Sequence, residues 1–544
     1  MKYIFIPIIF FLSLLCNAQS ISISGNVKDF LTNSPLENSK VQIKNLQNGF
    51  VDSVFSDAAG NWQYNIITAV VNEIQYLPTS MEVMQNFPNP FNPSTKISFL
   101  IPVDNNVTIQ IHNILGELVD MKNTFLSKGN YVVDWFSKGG AGVYFYTITY
   151  SNQSITKKMI QLDGGNGIGL GEIRSGISNS YKSLNSTDAV NVEIVITKFS
   201  YAADTTFTTI SGGENFTTRL QTIHNKYTLI DLHNDVLEVM VDDTTYHLAE
   251  LHNYNHTDIP RLQLGGVDVQ FFSIWVSPTT YTNYYQQALV MRDLFFSELA
   301  ANTSTIAQAT TMQQALNLNN QNKIAAVIGV EGGHHIEESL DKLDTLYYAG
   351  MRYLTITWNN SVSWAIAAAD NRTLTQGLNS FGQQVIRKLD SLGVIIDVSH
   401  TGIKTIQDIL QVTTNPIIAT HSGARAIRNH SRNLYDWQIQ DIANSGGVIG
   451  IVFYPPFLTS NPPASISDVI QHIDHIVNLL GSTDNVAIGS DFDGIGSNVV
   501  IGLEDTSKFP ELTLALLEHG YSELEVAKFL GGNFRRVFEQ VCGN

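Results

Sequence analysis

The chain has 544 residues, room for roughly three or four domains at about 150 residues each. Its 31 Lys+Arg against 49 Asp+Glu give a net charge of −18, which argues against a nucleic-acid partner. With 43% hydrophobic and 15% charged residues the chain is a packed globular protein and not a disordered one.

The first twenty residues, MKYIFIPIIFFLSLLCNAQS, carry one lysine, an apolar core and the small-residue end Cys16-Asn17-Ala18. This is the layout of a cleaved secretory signal over residues 1–18, and it predicts export to the periplasm, the cell surface or the medium. The core from Tyr3 to Leu15 is 13 residues, short of a bilayer span. Bulky Leu15 before Cys16 argues against lipidation. Cleavage leaves Cys542 as the single cysteine, so the exported chain has no internal disulfide.

Residues 21 to about 222 are rich in Thr, Ser, Asn, Val and Ile, in short alternating runs such as KVQIKNL, NVTIQIHN and VEIVITKF. Period-two alternation cut by Asn, Gly and Pro predicts β-sandwich modules. The first, residues 19–77, with its D-A-A-G-N-W turn, resembles the carboxypeptidase-regulatory-type β domain of secreted bacterial proteins. The strand-like stretch 190–222 is a candidate to complete it. The second, residues 78–162, contains NFPNPFNPSTKISFLIP, in which Pro88, Pro90 and Pro93 extend the lead-in to a strand, and Gly116 and Gly129 fit turns. It resembles the type IX secretion C-terminal sorting domain, which implies contact with bacterial outer-surface or secretion machinery. Such domains normally close a chain, whereas here a longer segment follows. Residues 163–224 read as a linker and strands.

From about residue 225 to 544 eight compact apolar runs alternate with amphipathic stretches: TLIDLHND, GGVDVQFFSIWV, IAAVIGVEG, MRYLTITW, GVIIDVSH, PIIATHS, GGVIGIVF and NVAIGSDFDG. This pattern predicts an α/β TIM-type (β/α)8 barrel, whose chemistry belongs at the C-terminal strand ends. There stand His233 and Asp235 after strand one, Glu331 after strand three, His400 after strand five, His421 after strand six, and Asp491 and Asp493 after strand eight. Three histidines and several carboxylates on one rim suit Zn2+ or a similar ion. Residues two apart on a strand share a face, so His233 and Asp235 are expected to point together into the mouth. With Glu331 between two histidine groups, the set predicts two bridged ions: His233 and Asp235 on one, His400 and His421 on the other. A shared water or hydroxide is the nucleophile, and Asp491 is the proton handler. Asp493 is expected to orient its loop.

In this order the motifs IDLHNDVL, GVEGGHHIE, DVSH, THSGARAIRNHSRNLYD and IGSDFDGIG resemble the membrane dipeptidase (renal dipeptidase) family of zinc peptidases, over about 320 residues. The resemblance implies a (β/α)8 barrel with two Zn2+, hydrolysis of free dipeptides including those with a C-terminal D-residue, and a homodimer. It implies metal ligation by His233, Asp235, Glu331, His400 and His421, acid/base catalysis by Asp491, and a grip of Arg432 on the substrate carboxylate. A guanidinium suits that role because it binds carboxylate bidentately. Arg425 and Arg428 are rivals placed on an expected helix. One departure stands at strand four, where the family has a substrate-side histidine and this chain has Trp358. An indole offers one donor and no titratable proton, so Trp358 and Asn359, or Asn360, are candidate substrate contacts. The alternatives are another amidohydrolase-type hydrolase, acting on a cyclic amide, lactone or acylated amino acid, and a catalytically weak surface-binding protein.

Overall fold

The computed structural model describes residues 19–69, 80–151, 153–162, 165, 167–175 and 189–543. The expected secretory signal, residues 1–18, and most of the expected linker lie outside them.

The first sandwich is assembled from both sides of the second. Strand Gln19–Asp29 pairs antiparallel with Asn61–Ala69 and parallel with Asn215–Leu220, in register Ser24 to Asn215. Facing it, Val190–Thr197 joins Lys40–Asn45 to Asp204–Ile210, with Val51–Phe55 at the far edge. The period-two pattern does the sorting: Val190, Val192, Ile194 and Ile196 are buried against Ile23, Val27, Val41 and Trp62. The intervening segment forms a second pair of sheets, with strands Asn105–Asn113, Leu118–Leu126, Gly142–Tyr150 and Gln153–Gln161 in one, and Ser94–Ile101 beside Gly129–Phe136 in the other. Gly116, at φ +80°, turns the hairpin after Asn105–Asn113. Trp135 fills the centre, edge-on to Phe91 at 5.4 Å and Tyr144 at 5.2 Å.

The rest is the barrel. Its strands, one to eight, are Leu229–Asp231, Val267–Ile274, Ile324–Glu331, Met351–Thr355, Ile395–Asp397, Ile417–Ser422, Ile449–Ile451 and Val486–Ile488, all parallel. Strand one pairs with strands two and eight, and strand two pairs with three, so the ring closes. A short strand, Ile306–Gln308, lies outside the ring beside strand three and was not expected from the apolar runs.

Two apolar layers hold this architecture. Inside the ring lie Ile230, Val269, Phe271, Val327, Tyr353, Ile395 and Ile418, floored by Phe534 and Phe538 of the final helix, Asn533–Cys542. Outside it, helices pack one face onto the strands; Ser380–Leu392, for example, buries Val385, Ile386 and Leu389. That helix starts at Asn379, whose side chain accepts from the amides of Phe381 and Gly382, and stops at Gly393 with φ +68°.

Because strands before and after the second sandwich pair with each other, excising residues 70–188 across a flexible Gly/Ser bridge is expected to leave the barrel's calorimetric midpoint unchanged. Removing residues 190–222 as well strips three strands from the first sandwich and is expected to abolish its separate transition. A lowered barrel midpoint in the first deletion would show that the second sandwich supports the barrel.

Candidate active site

The five expected ligands and Asp491 converge at the C-terminal mouth, and Asp493 does not join them. Glu331 is the last residue of strand three and His421 lies within strand six, while His400 and Asp491 each stand three residues beyond strands five and eight. His233 and Asp235 also converge, but not by strand alternation. Strand one ends at Asp231, and Asp235 occupies the N-cap of helix Val236–Asp242 without capping it, so the chain turns between the two residues.

Glu331 is the centre of the cluster. Its Oε2 faces His233 Nε2 at 3.5 Å, and its Oε1 faces His400 Nε2 at 2.9 Å and His421 Nε2 at 3.4 Å. On the His233 side, Asp235 Oδ2 lies 3.4 Å and Asp491 Oδ1 3.9 Å from the same Nε2. Two triads, His233–Glu331–His421 and His233–Asp235–Asp491, each bring their donor atoms within 4.8 Å of one another. Glycine at 494 permits this closeness, since a Cβ there would meet Asp235 Oδ2 at 2.3 Å and Asp491 Oδ1 at 2.8 Å.

A second ring of contacts aims the imidazoles. His400 Nδ1 donates to Asn359 Oδ1 at 2.8 Å. His421 Nδ1 donates to Thr420 Oγ1 at 2.9 Å, and that hydroxyl donates in turn to Asp397 Oδ2 at 2.8 Å. Both rings therefore turn an unprotonated Nε2 toward Glu331. His233 Nδ1 pairs with the buried Tyr353 hydroxyl at 2.8 Å. Asp231, buried at the end of strand one, accepts from Ser490 N at 2.8 Å and Ser490 Oγ at 2.7 Å, and so ties strand eight to strand one beside Asp491.

Burial sets the electrostatics. It lowers the imidazole of His400 to about 3, with Arg432 adding to the effect, and it holds His421 well below the usual range, with His233 adding. Burial opposes ionisation of Glu331, yet the surrounding imidazoles, His233 first, hold its carboxyl well below the usual range. His233 is raised against its own burial by Tyr353, Asp235 and Glu331. Asp491 is held well above the carboxylate range by burial, with Asp235 and Glu331 alongside. His400 and His421 thus offer neutral nitrogens beside the Glu331 carboxylate, the protonation states that metal ligation requires, whereas His233, raised by its acidic neighbours, would give up its proton to an ion.

The cluster opens into a cavity of about 210 Å³ bounded by Trp275, Trp358, Asn359, Tyr454, Phe457, Arg432 and Glu238. Trp358 packs on Trp275 with ring centroids 4.9 Å apart and lies 6.1 Å from the His400 ring. Asn360 does not line the cavity, whereas Asn359 does. Arg432 is buried, its Cζ 5.4 Å from the centre of the Phe457 ring; Nη2 donates to His421 O at 3.4 Å and Nε has no partner among the described residues. Arg425 and Arg428 lie in a turn, not the expected helix: Arg425 sits over the Tyr435 ring at 4.4 Å and Arg428 donates to Pro456 O at 3.2 Å. Asp493 is a loop anchor, accepting from His256 N at 2.8 Å. Sequence reasoning missed Tyr353, Asp397, Trp275 and Glu238. Of these only Glu238 had a local signal, its place one helical turn after Asp235.

Two family models match the chain: membrane dipeptidase (peptidase family M19) over residues 217–543, and secretion system C-terminal sorting domain over residues 85–161. Dipeptidase 3 of Homo sapiens is 34% identical over 331 residues, covering 59% of this chain and 67% of that protein. An uncharacterized dipeptidase of Schizosaccharomyces pombe is 33% identical over 335 residues, 58% of this chain and 80% of its own. Among solved structures, a metallopeptidase from Rhodobacter sphaeroides, liganded with a phosphinate mimic of L-Ala-D-Ala, aligns at TM-score 0.54 and 25% identity over 58% of this chain and 99% of that one. The match at residues 217–543 begins before strand one and runs into the final helix, taking in every barrel strand and every clustered side chain; the chain belongs to the membrane dipeptidase family, peptidase family M19, and is a metal-dependent dipeptidase.

Proposed function

We propose that the chain hydrolyses free dipeptides, those with a C-terminal D-residue included, using two zinc ions in the barrel mouth. The observation that carries this reading is the division of Glu331 between two sets of donors, Oε2 toward His233 and Oε1 toward His400 and His421. His233 and Asp235 would hold one ion, His400 and His421 the other, and Glu331 would bridge them. The donor set fits. The Nε2 lone pairs of His400 and His421 face each other at 2.9 Å, which a shared Lewis acid stabilises, and His233 Nε2 and Asp235 Oδ1 are buried without a hydrogen-bond partner. Imidazole nitrogens with carboxylate oxygens are a zinc-type set. Bound there, the ions supply Lewis acidity, polarising the scissile carbonyl and lowering the pKa of water.

The chain's own groups do the rest. Asp491 takes the proton of the attacking water and passes it to the leaving amine. Its burial beside Asp235 and Glu331 favours holding a proton, and the ions would restore its basic form. Arg432 binds the substrate's terminal carboxylate. Burial brings its guanidinium down only to about 10, so it stays cationic at neutral pH. Trp358 and Trp275 exclude water from one wall, and Asn359 fixes His400. The ligand bound by the Rhodobacter sphaeroides relative, a mimic of L-Ala-D-Ala, supports including D-residues. The sorting-domain match supports export, for which residues 1–18 would be the signal.

Zinc-loaded protein is expected to cleave L-Ala-D-Ala and L-Ala-L-Ala but not their amino-blocked forms, and to lose turnover on treatment with a chelator. A folded, zinc-loaded sample that cleaves neither dipeptide would sink the reading. Asp491→Asn keeps the size of the side chain and removes its basicity; kcat is expected to fall roughly 100- to 10,000-fold with zinc content retained. Arg432→Lys keeps the charge and loses the bidentate fork, and should raise KM for L-Ala-L-Ala about tenfold or more while kcat changes less.

A further inference from the structure

Arg432 accounts for one end of a dipeptide, and the cavity has another end. Strands one and six are three positions apart around the eight-strand ring, so the segments that follow them flank the mouth on different sides. Glu238 stands after strand one. It lies in the first turn of helix Val236–Asp242, three residues from Asp235, where a helical side chain shares the face of its i−3 neighbour. Val236 and Leu237 beside it are buried in the barrel core, whereas Glu238 is half-buried and lines the central cavity. It also borders a side cavity of about 90 Å³ with Val241, Trp275 and Met291, and Arg432 does not. Arg432 instead borders a second cavity, which His400 also lines and Glu238 does not.

The Glu238 carboxylate has no hydrogen bond or ion pair among the described residues, and the charges acting on it are those of Asp235, Asp242 and Glu331, all acidic. A partly buried carboxylate among like charges is costly unless a cation joins it. Its carboxyl is accordingly pushed up to about 8, by burial first. On the other flank, buried Arg432 lines the same cavity, and its Nε has no partner among the described residues. A free dipeptide carries a cation and an anion, one at each end, and this cavity offers their complements on separate walls.

Resting on the dipeptidase reading, we propose that Glu238 receives the substrate's α-ammonium, so that Glu238 and Arg432 together gauge a zwitterion two residues long. Glu238 then determines specificity: it selects for a free amino terminus, while the metal ligands and Asp491 carry the chemistry. Capped peptides are refused because they carry no ammonium, and longer ones because theirs cannot meet Glu238 while the scissile bond lies at the metal cup.

The test compares L-Ala-L-Ala with N-propionyl-L-alanine, the same molecule lacking only the ammonium, on zinc-loaded full-length protein. In the unaltered enzyme kcat/KM is expected to favour the dipeptide roughly 10- to 100-fold, the range for a charge-assisted hydrogen bond. Glu238→Gln should collapse that ratio toward one, chiefly through KM on the dipeptide, and Glu238→Asp should fall between. Calorimetric binding of a phosphinate analogue of L-Ala-L-Ala and of its desamino form gives the same ratio without turnover. A Glu238→Gln protein that loses activity equally on both substrates, or keeps the full ratio, overturns the proposal while leaving the dipeptidase reading intact. If the unaltered zinc-loaded enzyme neither cleaves nor binds the free-amine compounds, the dipeptidase reading fails and the role of Glu238 fails with it.

Discussion

A buried carboxylate, Glu331, surrounded by three imidazoles and with neither lysine nor arginine within ion-pairing distance among the described residues, is the interaction on which the rest of the barrel mouth depends. Leaving such a group ionised in a protein interior costs several kcal/mol unless every oxygen is compensated. Compensation here requires His233, His400 and His421 to arrive from strands one, five and six with Nε2 forward, where the proposed ions would sit against the carboxylate. A closed ring of parallel strands does this at low cost, because each strand end is fixed relative to all the others by the pairing around the circle. An open sheet would leave the first and last strands too far apart for His233 and Asp491 to meet.

Holding those side chains in place strains the backbone. His400 at φ +64°, Asp491 at +62° and Asp493 at +68° all lie in the left-handed region, which non-glycine residues seldom adopt. His400 and Asp491 each follow a strand terminus, where the chain must turn sharply to bring the side chain over the mouth, and Asp493 holds the loop beyond to His256. The turns are secured from below. Asp397 accepts from the hydroxyls of Thr355 and Thr420 and from the amide of Ser399, clamping strands four, five and six, and Asp231 does the same for strands one and eight through Ser490. The buried polar network under the site therefore serves both stability and geometry, and a change at Asp397 or Asp231 would be felt at the metal cup without touching it.

How much of this was legible in the sequence follows from the range of the signal. The eight apolar runs and the residues ending them are local features, so the barrel and its rim set could be read directly. Contacts made across the ring could not. Tyr353 reads as an ordinary apolar strand residue until the fold places its hydroxyl on His233, and Asp397 reads as a strand-end carboxylate like the others until Thr420 is seen beside it. His233 and Asp235 share the cup for a different reason from the one their spacing offered, a turn into a helix and not a strand face. The run from Arg425 to Arg428 lacks the helix its composition indicated, because Ala424 bridges to Leu434 and the intervening residues form a turn that delivers Arg432 into the interior. The strand-like pattern of 190–222 marks it as a candidate for the first sandwich, but the parallel pairing of Asn215–Leu220 with Gln19–Asp29, nearly two hundred residues away, leaves no trace in local patterning.

The tryptophan at strand four is consistent with this division of labour. Histidine at that position would add a titratable donor on the substrate side of the cup. Trp358 adds bulk and one N–H donor, and with Trp275 it builds an apolar wall against His400. The proposed ligands do not need it, since His400 is oriented by Asn359 and His421 by Thr420. What changes is the dielectric around the bound peptide: a drier wall strengthens every charge–charge contact in the cavity, Arg432 and Glu238 included. A cavity walled by two indoles can thereby depend more heavily on the two charges of its substrate, and in a protein of net charge −18 the buried cation at 432 is the scarcer of the two proposed complements.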